Sequence, residues 1–253
     1  NMETSSQSYV GKIIDTIFVV LKRQISYEVT VYLIQILKSY TEYSLNELIW
    51  YSLKNNPEYL STLGIVYNSF ENNQLKLDSL IMMADILKHS SQNNPDPFFK
   101  IIVCILGQSD YELCLCAVST LKEALITKWL RIKFVENSCG ILSSLISTLE
   151  KHASKSQFSY FGVFCFWLAS FDDILANNLC QNFMFIPLTV AICRSSGKEK
   201  VLRVYVGLWK NLLIHSKTKA MPLLIGCKAV DFCINASKKR FTDPDLSEDI
   251  AFI

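Results

Sequence analysis

Along most of the chain, hydrophobic residues recur at the i, i+3, i+4, i+7 spacing that places them on one face of an α-helix. The clearest case runs from Lys198 to His215, where Val201, Leu202, Tyr205, Leu208, Trp209, Leu212 and Leu213 share a face and Arg203, Lys210 and Asn211 are left for the other. Ser196-Gly197-Lys198-Glu199 precedes it and has the Ser-x-x-Glu form of a capping box, in which each end satisfies a free backbone donor of the other. Similar start signals stand at Ser44-Leu45-Asn46-Glu47, and at Asn56, Asp96 and Asp243, each followed by proline. The pattern predicts helices over 8–22, 26–40, 44–54, 57–70, 74–89, 97–107, 110–129, 131–151, 157–170, 172–182, 186–194, 198–215 and 219–236. Val29-Thr30-Val31-Tyr32 has the composition of a strand, but Leu33, Ile36 and Leu37 continue it at helical spacing, which assigns it to a helix.

The links between these segments are short, so successive helices are expected to be antiparallel neighbours. Many short helices in series form either a stacked solenoid or an irregular bundle. Trp129, Trp167 and Trp209 lie 38 and 42 residues apart, near the roughly 40–47 residue period of HEAT and armadillo repeats. The expected fold is all-α, a right-handed superhelix of HEAT/armadillo-like helical repeats forming a single domain over residues 1–253. Composition supports this: 8 Gly and 6 Pro in 253 residues are too few for the frequent tight turns of sandwiches, barrels and propellers.

A net charge of +2, from 25 Lys+Arg against 23 Asp+Glu, excludes an acidic disordered tail and a uniformly basic nucleic-acid coat. The distribution is more informative than the total. The balance is −3 over residues 1–193, +9 over 194–240 and −4 over 241–253. In a helical stack the basic stretch would carry Arg194, Lys198, Lys200, Arg203, Lys210, Lys217, Lys219, Lys228, Lys238, Lys239 and Arg240. It is either a solvated helix face partly balanced by the acidic tail or a positive surface for acidic partners. Tyr205 and Trp209 belong to the apolar face, so no stacking platform is interleaved with these cations, and nucleic acid is not the expected partner.

Little points to chemistry. The nine cysteines are odd in number and lie mainly in apolar runs such as Ile102-Val103-Cys104-Ile105-Leu106, where a thiol acts as a small hydrophobe. No paired Cys or His has the spacing of a structural zinc site. Nucleotide cradles of the G-x-G-x-x-G or G-x-x-x-x-G-K-[ST] kind are missing. Asp172-Asp173 reads as a helix cap rather than as an acid–base pair. His89, His152 and His215 each fall at a predicted helix end, where a protonated imidazole would suit the negative end of the dipole. No catalytic, cofactor-binding or metal-ligating residue is therefore assigned. The stretch Ile174–Cys193 is uncharged and about as long as a membrane span, but it contains Asn177, Asn178, Gln181, Asn182 and Pro187 and reads as the end of one helix and the start of the next.

Three segments carry a family resemblance. These are Phe166-Trp167-Leu168-Ala169-Ser170-Phe171 with Phe185-Ile186-Pro187-Leu188, then Lys198-Glu199-Lys200-Val201-Leu202-Arg203-Val204 running on to Asn211-Leu212-Leu213, and finally Lys239-Arg240-Phe241-Thr242-Asp243-Pro244-Asp245-Leu246-Ser247-Glu248-Asp249-Ile250. Together they resemble the N-terminal domain of the H subunit, the regulatory subunit of the vacuolar-type (V-type) proton-pumping ATPase (V-ATPase). The likeness covers Phe161 to Ile250 in motif, and residues 1–160 mainly in helical character. It implies a non-catalytic scaffold without a cofactor on the cytosolic side of vacuolar or endolysosomal membranes, touching the membrane only through the complex. The implied partners are the V1 sector and its peripheral stalk of subunits E and G, with support for coupling ATP hydrolysis to proton transport. Family chains normally continue into a second helical domain that restrains the detached ATPase sector, and the likeness here is to the domain that precedes it. Within this reading the candidate contact residues are Lys198, Lys200, Arg203, Lys239 and Arg240. An armadillo-like adaptor for acidic peptides or cargo tails is the alternative.

Overall fold

The computed structural model describes residues 2–23, 26–42, 50, 53, 56–89, 93–136 and 139–253. Among these it is all-α, as the periodicity predicts, with fifteen helices. The helix expected over 44–54, with its Ser44 cap, lies almost entirely outside the described residues.

The chain forms two compact units, residues 1–130 and 131–253. In the first, α1 (Met2–Lys22), α2 (Tyr27–Glu42), α3 (Glu58–Ser69), α4 (Asn73–His89), α5 (Asp96–Leu106) and α6 (Tyr111–Ala124) follow one another. Helix α1 packs on α3, α2 on α4, α3 on α5 and α4 on α6. Each helix thus rests on a counterpart from a neighbouring hairpin, the pattern of a helical repeat. Phe18, Leu37, Leu63, Met83, Phe98 and Leu121 fill the interior, and Phe18 stacks on Tyr59 with ring centroids 3.9 Å apart. Helix α2 contains the strand-like Val29–Tyr32 run, as its flanking spacing predicts.

The caps show which start signals the backbone uses. The Asn56 carboxamide accepts from the Glu58 amide at 3.0 Å, and Asn94, not Asp96, does the same for the amide of Asp96 at 3.0 Å. Asp96 is instead the first residue of α5, one position beyond Pro95. Asp110, Asp172 and Asp243 each cap a helix through the carboxylate.

One predicted break is displaced, and two helices expected to be continuous are divided. The helix expected over 110–129 ends at Ala124, and the one expected over 131–151 divides into α7 (Lys128–Glu136) and α8 (Ile141–Lys151). Gly140 marks this division with φ 73°, a left-handed conformation that costs glycine little because it has no Cβ. The helix expected over 219–236 also divides, into α13 (Lys217–Gly226) and α14 (Ala229–Ala236). There Lys228 takes φ 58°, and the Arg194 guanidinium donates to its carbonyl at 2.6 Å. Apolar periodicity cannot register such breaks, because both sides of each keep their faces toward the same core.

The second unit holds the end of α7, then α8, α9 (Ser156–Ala169), α10 (Asp173–Gln181), α11 (Phe185–Ser195), α12 (Glu199–His215), α13, α14 and α15 (Pro244–Phe252). Its hub is α12, which touches α9, α10, α11, α13 and α15. Tyr205 and Trp209 are fully buried, as their face predicts, and the Trp209 indole N–H donates to Thr189 Oγ1 at 3.0 Å. Neighbours on all sides also bury Val204, Val206 and Gly207. Asn211, expected on the polar face, is buried and donates to Ser170 Oγ at 3.1 Å. The uncharged stretch 174–193 is two helices, α10 and α11, bent by 88° at their junction, and among the described residues no single helix is long and apolar enough to cross a membrane.

Candidate interaction surface

The +9 stretch spans the end of α11, then α12, α13, α14 and the first part of the non-helical link Ser237–Asp243. Helix α15, which follows, was not predicted as a helix beyond its Asp243-Pro244 start. It packs on α12 and α14, and its Leu246 and Ile250 are buried. Its spacing sets acids opposite bases. Arg203 donates to Asp243 Oδ2 at 2.6 Å and also to the carboxylate of Asp245. About two turns further along α12, Lys210 Nζ lies 2.5 Å from Asp249 Oδ1 and 5.6 Å from the Phe252 ring centroid. The hydrogen bond from Arg203 holds the Asp243 carboxyl below its ordinary range, and Asp243 in turn raises the Arg203 guanidinium further above its own.

Glu199 departs from its predicted capping-box role. Its carboxylate accepts the Thr242 amide at 3.1 and 3.2 Å and the Thr242 hydroxyl at 2.5 Å, tying the link before α15 to the start of α12. Ser196 Oγ instead sits 3.4 Å from the Lys198 amide. The tertiary partner prevails over the local one because two donors from one residue match both oxygens of the carboxylate.

The five candidate contact residues therefore divide. Arg203 is engaged by Asp243 and Asp245. Lys198, Lys200, Lys239 and Arg240 are exposed, and none forms an ion pair among the described residues. Of the wider basic set, Lys210 is held by Asp249 and Arg194 by the Lys228 carbonyl. The acidic segment thus balances part of the basic face and leaves the rest in water. Sequence reasoning read the −4 tail as a balance but did not pair its members with α12; the signal lies in the 39- to 42-residue separations of the pairs, which acquire meaning only once α12 and α15 are known to be neighbours.

Elsewhere several titratable groups have structural partners. Asp172 accepts from the Ile174 and Leu175 amides at 3.0 and 3.3 Å, the predicted capping role, while Asp173 Oδ1 is 2.6 Å from His215 Nδ1. His152 ends α8 as predicted, but burial and the adjacent Lys151 and Lys155 lower its pKa, which works against the charged role expected at the helix dipole. A cleft of about 330 Å³ in the first unit is lined by Asp15, Lys22, Arg23, Glu58 and Tyr59. Four of these pair with one another: Tyr59 donates to Asp15, and Lys22 meets Glu58 at 3.2 Å. Burial, then Asp15, pushes the Tyr59 hydroxyl upward, the reverse of what an activated group needs. Among the described residues no three His, Cys, Asp or Glu side chains converge to hold a metal ion.

Comparison with known proteins adds the following. A family model for the V-ATPase H subunit matches residues 3–253. The chain is 26% identical over 117 residues to the V-type proton ATPase H subunit of Drosophila melanogaster, a match covering 44% of this chain and 25% of that protein. It is 30% identical over 136 residues to a protein of Oryza sativa subsp. japonica named as a "probable" V-type proton ATPase H subunit, covering 52% of this chain and 29% of that one. The matched regions are thus less than a third of these relatives' length. Two crystal structures of engineered proteins share the fold, with a TM-score of 0.60 at 11% identity (87% of this chain, 94% of the other) and 0.59 at 12% identity (97% and 69%).

Proposed function

The chain belongs to the V-ATPase H-subunit family, and on that premise we propose that it is a non-catalytic regulatory and scaffold subunit that binds the pump's peripheral stalk. In this reading it docks to stalk subunits E and G on the cytosolic face of vacuolar or endolysosomal membranes, reaches the membrane only through the complex, and supports the coupling of ATP hydrolysis to proton transport. Residues 1–253 act as one armadillo/HEAT-like docking module.

The observation that carries the proposal is the set of cations left unclaimed by the acidic helix. Lys198, Lys200, Lys239 and Arg240 are solvated and available, so they can steer an acidic partner without first breaking an internal pair. Arg203 already binds two carboxylates; its part in docking passes through the placement of α15. Apolar contact supplies the remaining affinity.

The test is binding of the full chain to a purified E–G heterodimer at low and moderate salt. Replacing Lys198, Lys200, Lys239 and Arg240 together by Glu lowers affinity by about tenfold or more at low salt, chiefly through the association rate. Affinity unchanged at low salt removes these four positions from the interface. Equal binding to an unrelated acidic peptide favours the general adaptor reading.

A further inference from the structure

We propose that Thr242 is a phosphoacceptor for a basophilic protein kinase, and that phosphorylation releases Thr242 and the link before it from Glu199 at the start of α12. Three observations converge on this residue. Lys238, Lys239 and Arg240 stand immediately upstream, so the hydroxyl follows three consecutive exposed cations with Phe241 as the only spacer. Specificity between kinases and substrates is written in such charge patterns, and cations at these upstream positions fit the acidic substrate groove of an arginine-directed enzyme. The segment is also presented suitably: Thr242 is exposed, and Ser237–Asp243 is not helical, so it can be laid out as an extended strand in a kinase cleft.

The third observation gives the modification its effect. Thr242 Oγ1 donates to Glu199 Oε2 at 2.5 Å, while the Thr242 amide donates to both oxygens of the same carboxylate. In the reaction an O–P bond forms at Oγ1 and the bond from the γ-phosphorus to the β–γ bridging oxygen of ATP breaks. ADP leaves with that electron pair, and the hydroxyl proton passes to the kinase's catalytic carboxylate. The product has no hydroxyl donor. It places a phosphate of charge about −1.5 to −2 against the Glu199 carboxylate, where a hydrogen bond had been. Asp243 and Asp245, next along the chain, are already paired with Arg203 and add charge of the same sign. The link relieves this contact by leaving Glu199. Leu246 and Ile250 are buried and are expected to keep α15 seated. Neither the site nor the latch depends on what the basic face binds.

The experiment uses the full chain with ATP and the catalytic subunit of cAMP-dependent protein kinase, read by phosphopeptide mass spectrometry and amide hydrogen exchange. Phosphate is expected on Thr242. Thr242→Ser keeps it, Thr242→Val abolishes it, and Lys239→Ala with Arg240→Ala slows incorporation by about tenfold or more. Failure to modify Thr242, or a rate indifferent to those two cations, overturns the site. Phosphorylation is further expected to speed exchange of the Thr242 amide by about tenfold while the α15 amides stay protected. Glu199→Gln, which keeps an acceptor oxygen and gains a donor for phosphate, blunts that change. Unaltered Thr242 exchange after phosphorylation, or the same acceleration in Glu199→Gln, overturns the release.

Discussion

Replacing Asp249 by Asn tests how the acidic helix is held, because the two ion-pair positions on α12 differ in exposure. Lys210 and Asp249 are 2.5 Å apart, and their side chains are 32% and 16% exposed. Arg203 and Asp245 are 45% and 59% exposed. A solvated pair contributes about 0.2–1 kcal/mol, because water screens the attraction and two long side chains lose freedom. A charge-assisted hydrogen bond out of water contributes about 1.5–3 kcal/mol, and Asp249→Asn also leaves the Lys210 ammonium half-buried against a neutral group. The expected loss is therefore about 1.5–2.5 kcal/mol for Asp249→Asn and under about 1 kcal/mol for Asp245→Asn. With about 1.4 kcal/mol for each factor of ten, hydrogen exchange of the Leu246 and Ile250 amides should quicken by roughly ten- to fifty-fold in the first variant and by less than about five-fold in the second. Raising the salt from 0.1 to 1 M shortens the Debye length from about 10 to about 3 Å, which should erase the smaller effect and leave most of the larger. If Asp245→Asn costs as much as Asp249→Asn, exposure does not rank these pairs and the account of the clasp fails.

Three further outcomes follow from the same contacts. Thr189→Val keeps the shape of the side chain but removes the acceptor of the buried Trp209 indole; urea unfolding should show a loss of about 1–3 kcal/mol, and a loss no larger than that of a surface control counts against the bond. At Gly207 a Cβ would come within 3.1 Å of Trp167 Nε1 and 3.6 Å of Asp249 Oδ2, so Gly207→Val should destabilise by about 1–3 kcal/mol and alter Trp167 emission, whereas Gly207→Ala gains helix propensity and needs only a small shift of the half-buried indole. Asp243 has its pKa lowered by Arg203 from an ordinary value of 3.8, so its pairing stabilises the fold above that value and is lost as pH falls through the depressed one. An acid titration of Asp243→Asn should accordingly lack that part of the wild-type slope, and an unchanged slope would refute the pairing.

Much of this protein is fixed by local pattern. Apolar spacing determines that it is all-α and puts Tyr205 and Trp209 inward, because a helix of 3.6 residues per turn gathers such residues on one side whatever it later packs against. The capping aspartates at 172 and 243 are equally local, since the carboxylate and the amides it accepts are within three residues. The breaks near Gly140 and Lys228 and the burial of Asn211 depend on surroundings: only the helices gathered around α12 cover its supposedly polar face. The interaction surface divides in the same way. Net charge by segment already shows a basic stretch followed by an acidic end. Which cations remain available was decided by tertiary structure, since the docking of Leu246 and Ile250 brings Asp243, Asp245 and Asp249 to Arg203 and Lys210 and leaves Lys198, Lys200, Lys239 and Arg240 in water. Electrostatic pairing acts over a few ångströms in space, and separations of some forty residues along the chain become such distances only after the core has formed.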